Sequence, residues 1–264
     1  MGGTALGASH REAGLPCQDS AGWWSGPLGG STGVMTVAAV ADGAGSARLA
    51  ALGSQSAVTE VLRLVRCLAG ELPPASDDDR SFLSTAESPD NAAAGAEATA
   101  VVMELFAAAR RALEAAAHEA EADLRDLATT LIVALATPDS LVIGEVGDGV
   151  VAVSIGGAVI GPLTPQRGEF ANETAFLTGG EVLPEVSLAS FPSSEVEAFA
   201  ISSDGLRLLI TSNSLEGTPH APFFDDLFAG VASGVTSEAL TQFLEQAEDR
   251  TGDDKSLVVG VRVP

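Results

Sequence analysis

Positive charge is scarce in this chain: 13 Lys+Arg stand against 36 Asp+Glu, a formal net charge of −23 over 264 residues. Such a surface repels both a nucleic-acid backbone and an anionic membrane, which excludes either as a partner held by electrostatics. Only two cysteines occur, Cys17 and Cys67. They are too few for a disulfide framework and lack metal-type spacing, so free thiols are expected. The three histidines, His10, His118 and His220, are scattered. No stretch of about 20 uninterrupted apolar residues exists, and Met1-Gly2-Gly3-Thr4 lacks the basic start and apolar middle of a signal peptide. The chain therefore reads as cytoplasmic. Ser9-His10 lies in no nucleophile elbow, and Cys17 begins no C-x5-R phosphate loop.

Aspartate, by contrast, is placed with regularity. The stretches ADGAG (41 to 45), GDG (147 to 149), SDG (203 to 205) and GDDKS (252 to 256) set aspartates beside glycine or small polar residues, the first three of them just after apolar runs. A carboxylate at the end of a buried strand costs several kcal/mol of desolvation unless something positive meets it, and arginine and lysine are few. A divalent cation is the economical partner. A carboxylate set without clustered His or Cys favours a hard ion, Mg²⁺ or Mn²⁺, over zinc.

With 46% hydrophobic residues the chain can fill a core, and its length fits a single domain over 1–264. Short β-rich runs at 129 to 137, 140 to 146, 150 to 155 and 158 to 160 are joined by turn residues and read as a meander. Helical periodicity runs over Ala47 to Ala69 and Ala96 to Leu127. A third helix is predicted after the cap residues Thr236 and Ser237, before a closing strand from Ser256 to Val263. Strands and helices come in groups, which predicts a layered α+β fold over a doubly wound parallel sheet. The segment 71–95, rich in Pro, Ser, Asp and Ala, reads as a mobile surface loop. Its Asp77-Asp78-Asp79 has neither the spacing nor the closing glutamate of an EF-hand.

Taken in order, CQD (17 to 19), ADGAG, ATTLIVAL (128 to 135), GDG, SDGL (203 to 206) and DDKSLVVGV (253 to 261) resemble the landmarks of the protein phosphatase 2C family, the PPM-type metal-dependent serine/threonine phosphatases, in a divergent bacterial-type form. The likeness runs from about Gly7 to Val263. It implies a four-layer α-β-β-α sandwich, two antiparallel sheets flanked by helix pairs, with metals at one end. It implies that Asp42 bridges two ions with the Gly43 carbonyl as a further ligand. Asp204 and Asp254 would complete the first ion's set, Asp148 would serve a third and weaker ion, and Asp19 would hold metal-bound water. Two ions about 3.5 to 4 Å apart can lower a water's pKa and neutralise a phosphoryl group during in-line attack, with no protein nucleophile. The implied activity is hydrolysis of phosphoserine and phosphothreonine in proteins, opposite a serine/threonine kinase.

Several positions depart from the family's pattern. Ala44 stands where many members have His, removing a candidate general acid. The family's phosphate-binding arginine would fall near Gly14, leaving Arg11 or His10 as the nearest substitutes. Gln18 stands where many members have glutamate. Only 56 residues separate Asp148 from Asp204, which predicts a small flap; within it GEFANETAFLT (168 to 178) resembles the divergent bacterial branch, with Asn172 and Glu173 read as structural. Two further readings remain: a catalytically inactive phosphatase-like domain that binds a phosphoprotein or kinase, favoured by Ala44 and the missing arginine, and an acidic calcium-binding protein, which fails for want of repeats.

Overall fold

The computed structural model describes residues 1–27, 33–86, 94–164, 174–180, 183–213, 218–248 and 250–262. In chain order the strands are β1 (Gly2–Ala5), β2 (Asp19–Pro27), β3 (Val34–Asp42), β4 (Leu131–Ala136), β5 (Ser140–Val146), β6 (Val150–Ile155), β7 (Ala158–Ile160), β8 (Ser187–Pro192), β9 (Val196–Ser202), β10 (Thr211–Asn213), β11 (Thr218–Pro219) and β12 (Lys255–Val261). The helices are α1 (Ala8–Ala13), α2 (Ala50–Leu68), α3 (Asp77–Ala86), α4 (Ala94–Glu119), α5 (Arg207–Ile210), α6 (Ala221–Ala232) and α7 (Ser237–Gln246). One five-stranded sheet has the order β2-β3-β4-β5-β8 and the other β1-β12-β9-β6-β7. Every pairing in both is antiparallel.

Period-two alternation explains the layers, because successive side chains of a strand point to opposite faces. In β3, Val37, Ala39 and Ala41 pack under α2 and α4, while Ala38 and Val40 face the other sheet. In β12, Leu257 and Val259 pack under α6 and α7, while Val258 joins the core between the sheets. Strands covered on both faces have no polar side to show, which is why β4 and β5 read as continuous apolar runs. β8, at a sheet edge, alternates between exposed and half-buried. The two sheets and two helix layers form the α-β-β-α sandwich that the family resemblance implied. Phe106, fully buried on α4, anchors the larger helix layer; truncation to alanine costs about 3–5 kcal/mol.

Two expectations change. The meander is divided between the sheets: β5 pairs with β4 and β8, whereas β6 pairs with β7 and β9. Gly147-Asp148-Gly149 is therefore the crossing from one sheet to the other, with Gly147 at φ +133°. The segment 71–95 holds helix α3, and its residues 87–93 lie outside the described residues. Ser76 Oγ accepts from the Asp79 N–H, and the Asp79 carboxylate accepts from the Ala75 N–H. The acidic run sits in the first turn, at the positive end of the helix dipole. Asp79 is then held by Arg63 of α2 at 2.9 Å. The acidic run is a helix start, with Asp77 and Asp78 exposed and Asp79 buried.

Candidate metal centre

The ends of β3, β5 and β9 and the starts of β2 and β12 meet at one end of the sandwich. Asp19 and Asp42 are direct cross-strand partners on β2 and β3. The backbone of Asp42 is pinned on both sides: its N–H donates to Thr130 Oγ1 at 3.0 Å, and its carbonyl accepts from Thr129 Oγ1 at 2.9 Å and from the Thr130 N–H at 2.8 Å. Gly43 follows, with its N–H on the Gln18 carbonyl. A Cβ there would stand 2.6 Å from the Ala50 carbonyl oxygen and 2.8 Å from that of Gln18, so only glycine fits.

From the other sheet, Asp204 opens the turn after β9. The Gly205 behind it packs so close to the last loop that a Cβ would lie 1.9 Å from the Asp254 carbonyl oxygen. Carboxyls from the two sheets come close enough to act on one another, Asp42 with Asp204. Ser203 Oγ donates to Asp19 at 2.6 Å and accepts from the Ser256 N–H, tying Asp19 to β12.

The electrostatics follow from burying like charges together. Burial first, then the neighbouring charges of Asp19, Asp204 and Asp253, hold Asp42 well above the usual carboxylate range. Asp19 is pushed up to about 8 by burial, against the lowering effect of Ser203 and with the charge of Asp254 adding to the rise. Asp204 is pushed up to about 6 by burial and then by Asp148 and Asp253. One Asp204 oxygen, Oδ1, is buried without a hydrogen-bond partner among the described residues. Crowded, raised and partly unpaired carboxylates on glycine-lined turns fit a hard divalent cation.

The closing segment differs from the expectation. Asp254 is fully buried, and its oxygens are taken by the Gly7 N–H at 2.7 Å, the Gln18 N–H at 2.6 Å and His10 Nδ1 at 2.8 Å. It acts as a clamp joining α1, the start of β2 and β12. Asp253 is the carboxylate of that pair whose charge acts on Asp42, Asp148 and Asp204. His10 Nδ1 is thus engaged with the clamp, although a donor atom of His10 lies within 4.8 Å of donor atoms on both Asp253 and Asp254. Arg11 is exposed and donates to the Leu6 carbonyl, which gives it no part in the cluster. Asn172 and Glu173 lie outside the described residues.

Asp148 sits at the edge of the cluster. Burial raises its pKa and Arg207 opposes the rise, with Arg207 Nη2 3.5 Å from Asp148 Oδ2. Glu145, in the last turn of buried β5 backbone before the crossing, is 1% exposed and pushed up to about 8 by burial and then by Asp148. Arg207 does not announce itself in the sequence. Glu145 carried one signal, a lone charge inside an otherwise apolar strand. Cys17 is pushed up to about 12 by burial and by Asp254 and Asp19, which keeps it a thiol rather than a nucleophilic thiolate. Ala44 is buried and offers no proton.

Comparisons with known proteins point to one family. A family model described as Protein phosphatase 2C matches residues 6–245. The Serine/threonine-protein phosphatase 3 of Escherichia coli (strain K12) is 32% identical over 269 residues, covering 98% of this chain and 96% of that protein. Among solved structures, the serine/threonine phosphatase Stp1 from Staphylococcus aureus has a TM-score of 0.62 at 14% identity, covering 100% of this chain and 94% of its own. The catalytic domain of the serine threonine protein phosphatase PstP, in complex with two manganese ions, has a TM-score of 0.56 at 18% identity, covering 98% and 95%. These structures share the fold.

Proposed function

The chain belongs to the protein phosphatase 2C family, and from that premise we propose that it hydrolyses phosphoserine and phosphothreonine in proteins with two Mg²⁺ or Mn²⁺ ions held at the acidic end of the sandwich. The observation that carries the reading is the meeting of Asp19 and Asp42, paired across β2 and β3, with Asp204 and Asp253 from the facing sheet. Asp42 feels the charges of Asp19, Asp204 and Asp253 together and suits the shared ligand. The Gly43 carbonyl adds a neutral oxygen, while Asp204 and Asp253 complete the set, with Asp253 in the place first expected for Asp254. Asp19, oriented by Ser203, suits a hydrogen bond to water beside the ions. When bound, such ions supply positive charge for the phosphoryl group and a water of lowered pKa.

The protein's own residues hold that arrangement rigid and half-buried, in surroundings that strengthen electrostatic stabilisation. A serine/threonine kinase is the implied counterpart, and a cytoplasmic setting suits that role; no described helix is long and apolar enough to cross a membrane. The intact carboxylate set speaks against an inactive binding domain. Phosphate release from a phosphothreonine peptide, with Mn²⁺ or Mg²⁺ and with excess chelator, is the test. Turnover that needs the ion is expected, and equal turnover in chelator overturns the mechanism.

A further inference from the structure

We propose that the Arg207 guanidinium takes the place of a third cation at Asp148, so that this chain works with two ions rather than three. The inference rests on the two-ion reading above and concerns the corner of the site where the resemblance implied a weaker third ion.

Arg207 is placed by its backbone. It opens α5 directly after the Asp204–Leu206 turn, whose Gly205 is locked against the Asp254 carbonyl. Leu206 and Ile210, four residues apart and both fully buried, fix one face of this turn in the core beneath α6 and α7. Residue 207 is carried about 100° round the axis from Leu206. Its carbonyl is held in turn by Thr211 Oγ1 at 2.6 Å.

Its side chain is 18% exposed and that of Asp148 19%, so the pair is largely withdrawn from water. The contact is ionic without being a hydrogen bond, since Arg207 Nε and Nη2 are buried with no hydrogen-bond partner among the described residues. Buried Glu145 lies within the influence of the same guanidinium, and its Oε1 also has no partner among the described residues. An Mg²⁺ or Mn²⁺ bound to Asp148 Oδ2 at about 2.0–2.2 Å would stand within about 6 Å of Arg207 Nη2, positive charge against positive charge in a half-buried corner. The residues at this corner therefore do not fit a third ion. A fixed, always-charged guanidinium already faces Asp148 and opposes the effect of its burial, and unlike an ion it cannot dissociate.

Equilibrium dialysis against Mn²⁺, with bound metal counted per chain, tests this without reference to turnover. Two ions are expected for the unchanged chain and for Asp148→Asn. Arg207→Ala should raise the count to three, and the double substitution should return it to two. A count that falls by one in Asp148→Asn overturns the proposal while leaving the phosphatase reading intact, and so does an unchanged count of two in folded Arg207→Ala. If Arg207→Ala does not fold, Asp148→Asn alone decides. An unchanged chain that binds no ion overturns both readings.

Discussion

Two corners of one acidic site are treated in opposite ways. Around Asp42, charges of one sign are packed together, and burial and repulsion push the carboxyls above their usual range. Around Asp148, a guanidinium stands 3.5 Å away. The first corner gathers carboxylates from both sheets, and the second sets a guanidinium beside one. The difference teaches that net charge alone does not mark a metal site, since the same −23 chain meets one aspartate with a cation and leaves its neighbours strained.

The sharpest way to break the comparison is Asp42→Ala, which removes the residue that feels the other charges together. Loss of several kcal/mol of charge stabilisation corresponds to about three orders of magnitude or more in turnover. Steady-state assay with saturating Mn²⁺ measures it, and near-normal turnover would remove Asp42 from the centre. Next in size is the contrast between adjacent aspartates. Asp253→Asn should raise the Mn²⁺ needed for half-maximal activity about tenfold or more, with little loss of stability. Asp254→Asn should do the reverse, costing about 1–3 kcal/mol in chemical denaturation because its buried donors lose a charged acceptor, while metal affinity changes little. Exchanged outcomes would return the ligand role to Asp254.

A smaller effect is expected from pH. Asp19 at about 8 and Asp204 at about 6 lie above their ordinary value, so the folded metal-free chain holds protons that the unfolded chain releases. Stability from these groups is complete below about pH 4 and is lost as pH rises through about 6 and then about 8. The melting temperature of the chelated protein should therefore fall by several degrees between pH 5 and about 8.5. Saturating Mn²⁺, worth about 2.7 kcal/mol at 100 times the dissociation constant, should flatten the slope. A metal-free melting temperature that rises over this range would contradict the crowding at Asp42.

The smallest change is Gln18→Glu. Gln18 is 8% exposed, and its Oε1 is buried with no partner among the described residues, close behind Gly43 and Asp254. An added carboxylate there should lower the Mn²⁺ for half-maximal activity a few-fold, as a neighbour that orients the ligands or water does. Superimposable titrations would place Gln18 outside the metal shell.

The fold was legible where period and turn chemistry act locally. Strands β4 to β7, helix α2 and the Thr236 cap, whose Oγ1 accepts from the Ala239 N–H, all follow from spacing, while the helix predicted to reach Leu127 ends at Glu119. Asp42, Asp148 and Asp204 were legible because glycine marks a tight approach. Asp253 was not, because two aspartates stand in line, and only the folded loop shows Asp254 taken by the Gly7, Gln18 and His10 donors. Arg207 was hidden for another reason. Its role depends on Asp148, brought across from the other sheet by a crossing that reads locally as a simple turn. α3 was missed because aspartate and serine signal loops and helix starts alike.

The pairing of β1 with β12 sets Gly2 opposite Val258, and Asp254 then grips the Gly7 and Gln18 backbone. Contacts between segments some 250 residues apart carry a large loop-closure entropy, so they form late and slowly. During synthesis the acidic end cannot assemble until the final strand is available, whereas β2 to β5 and the helices over them can collapse earlier. Until Asp253 and Asp254 are in place, the second sheet's last contribution to the acidic end is missing.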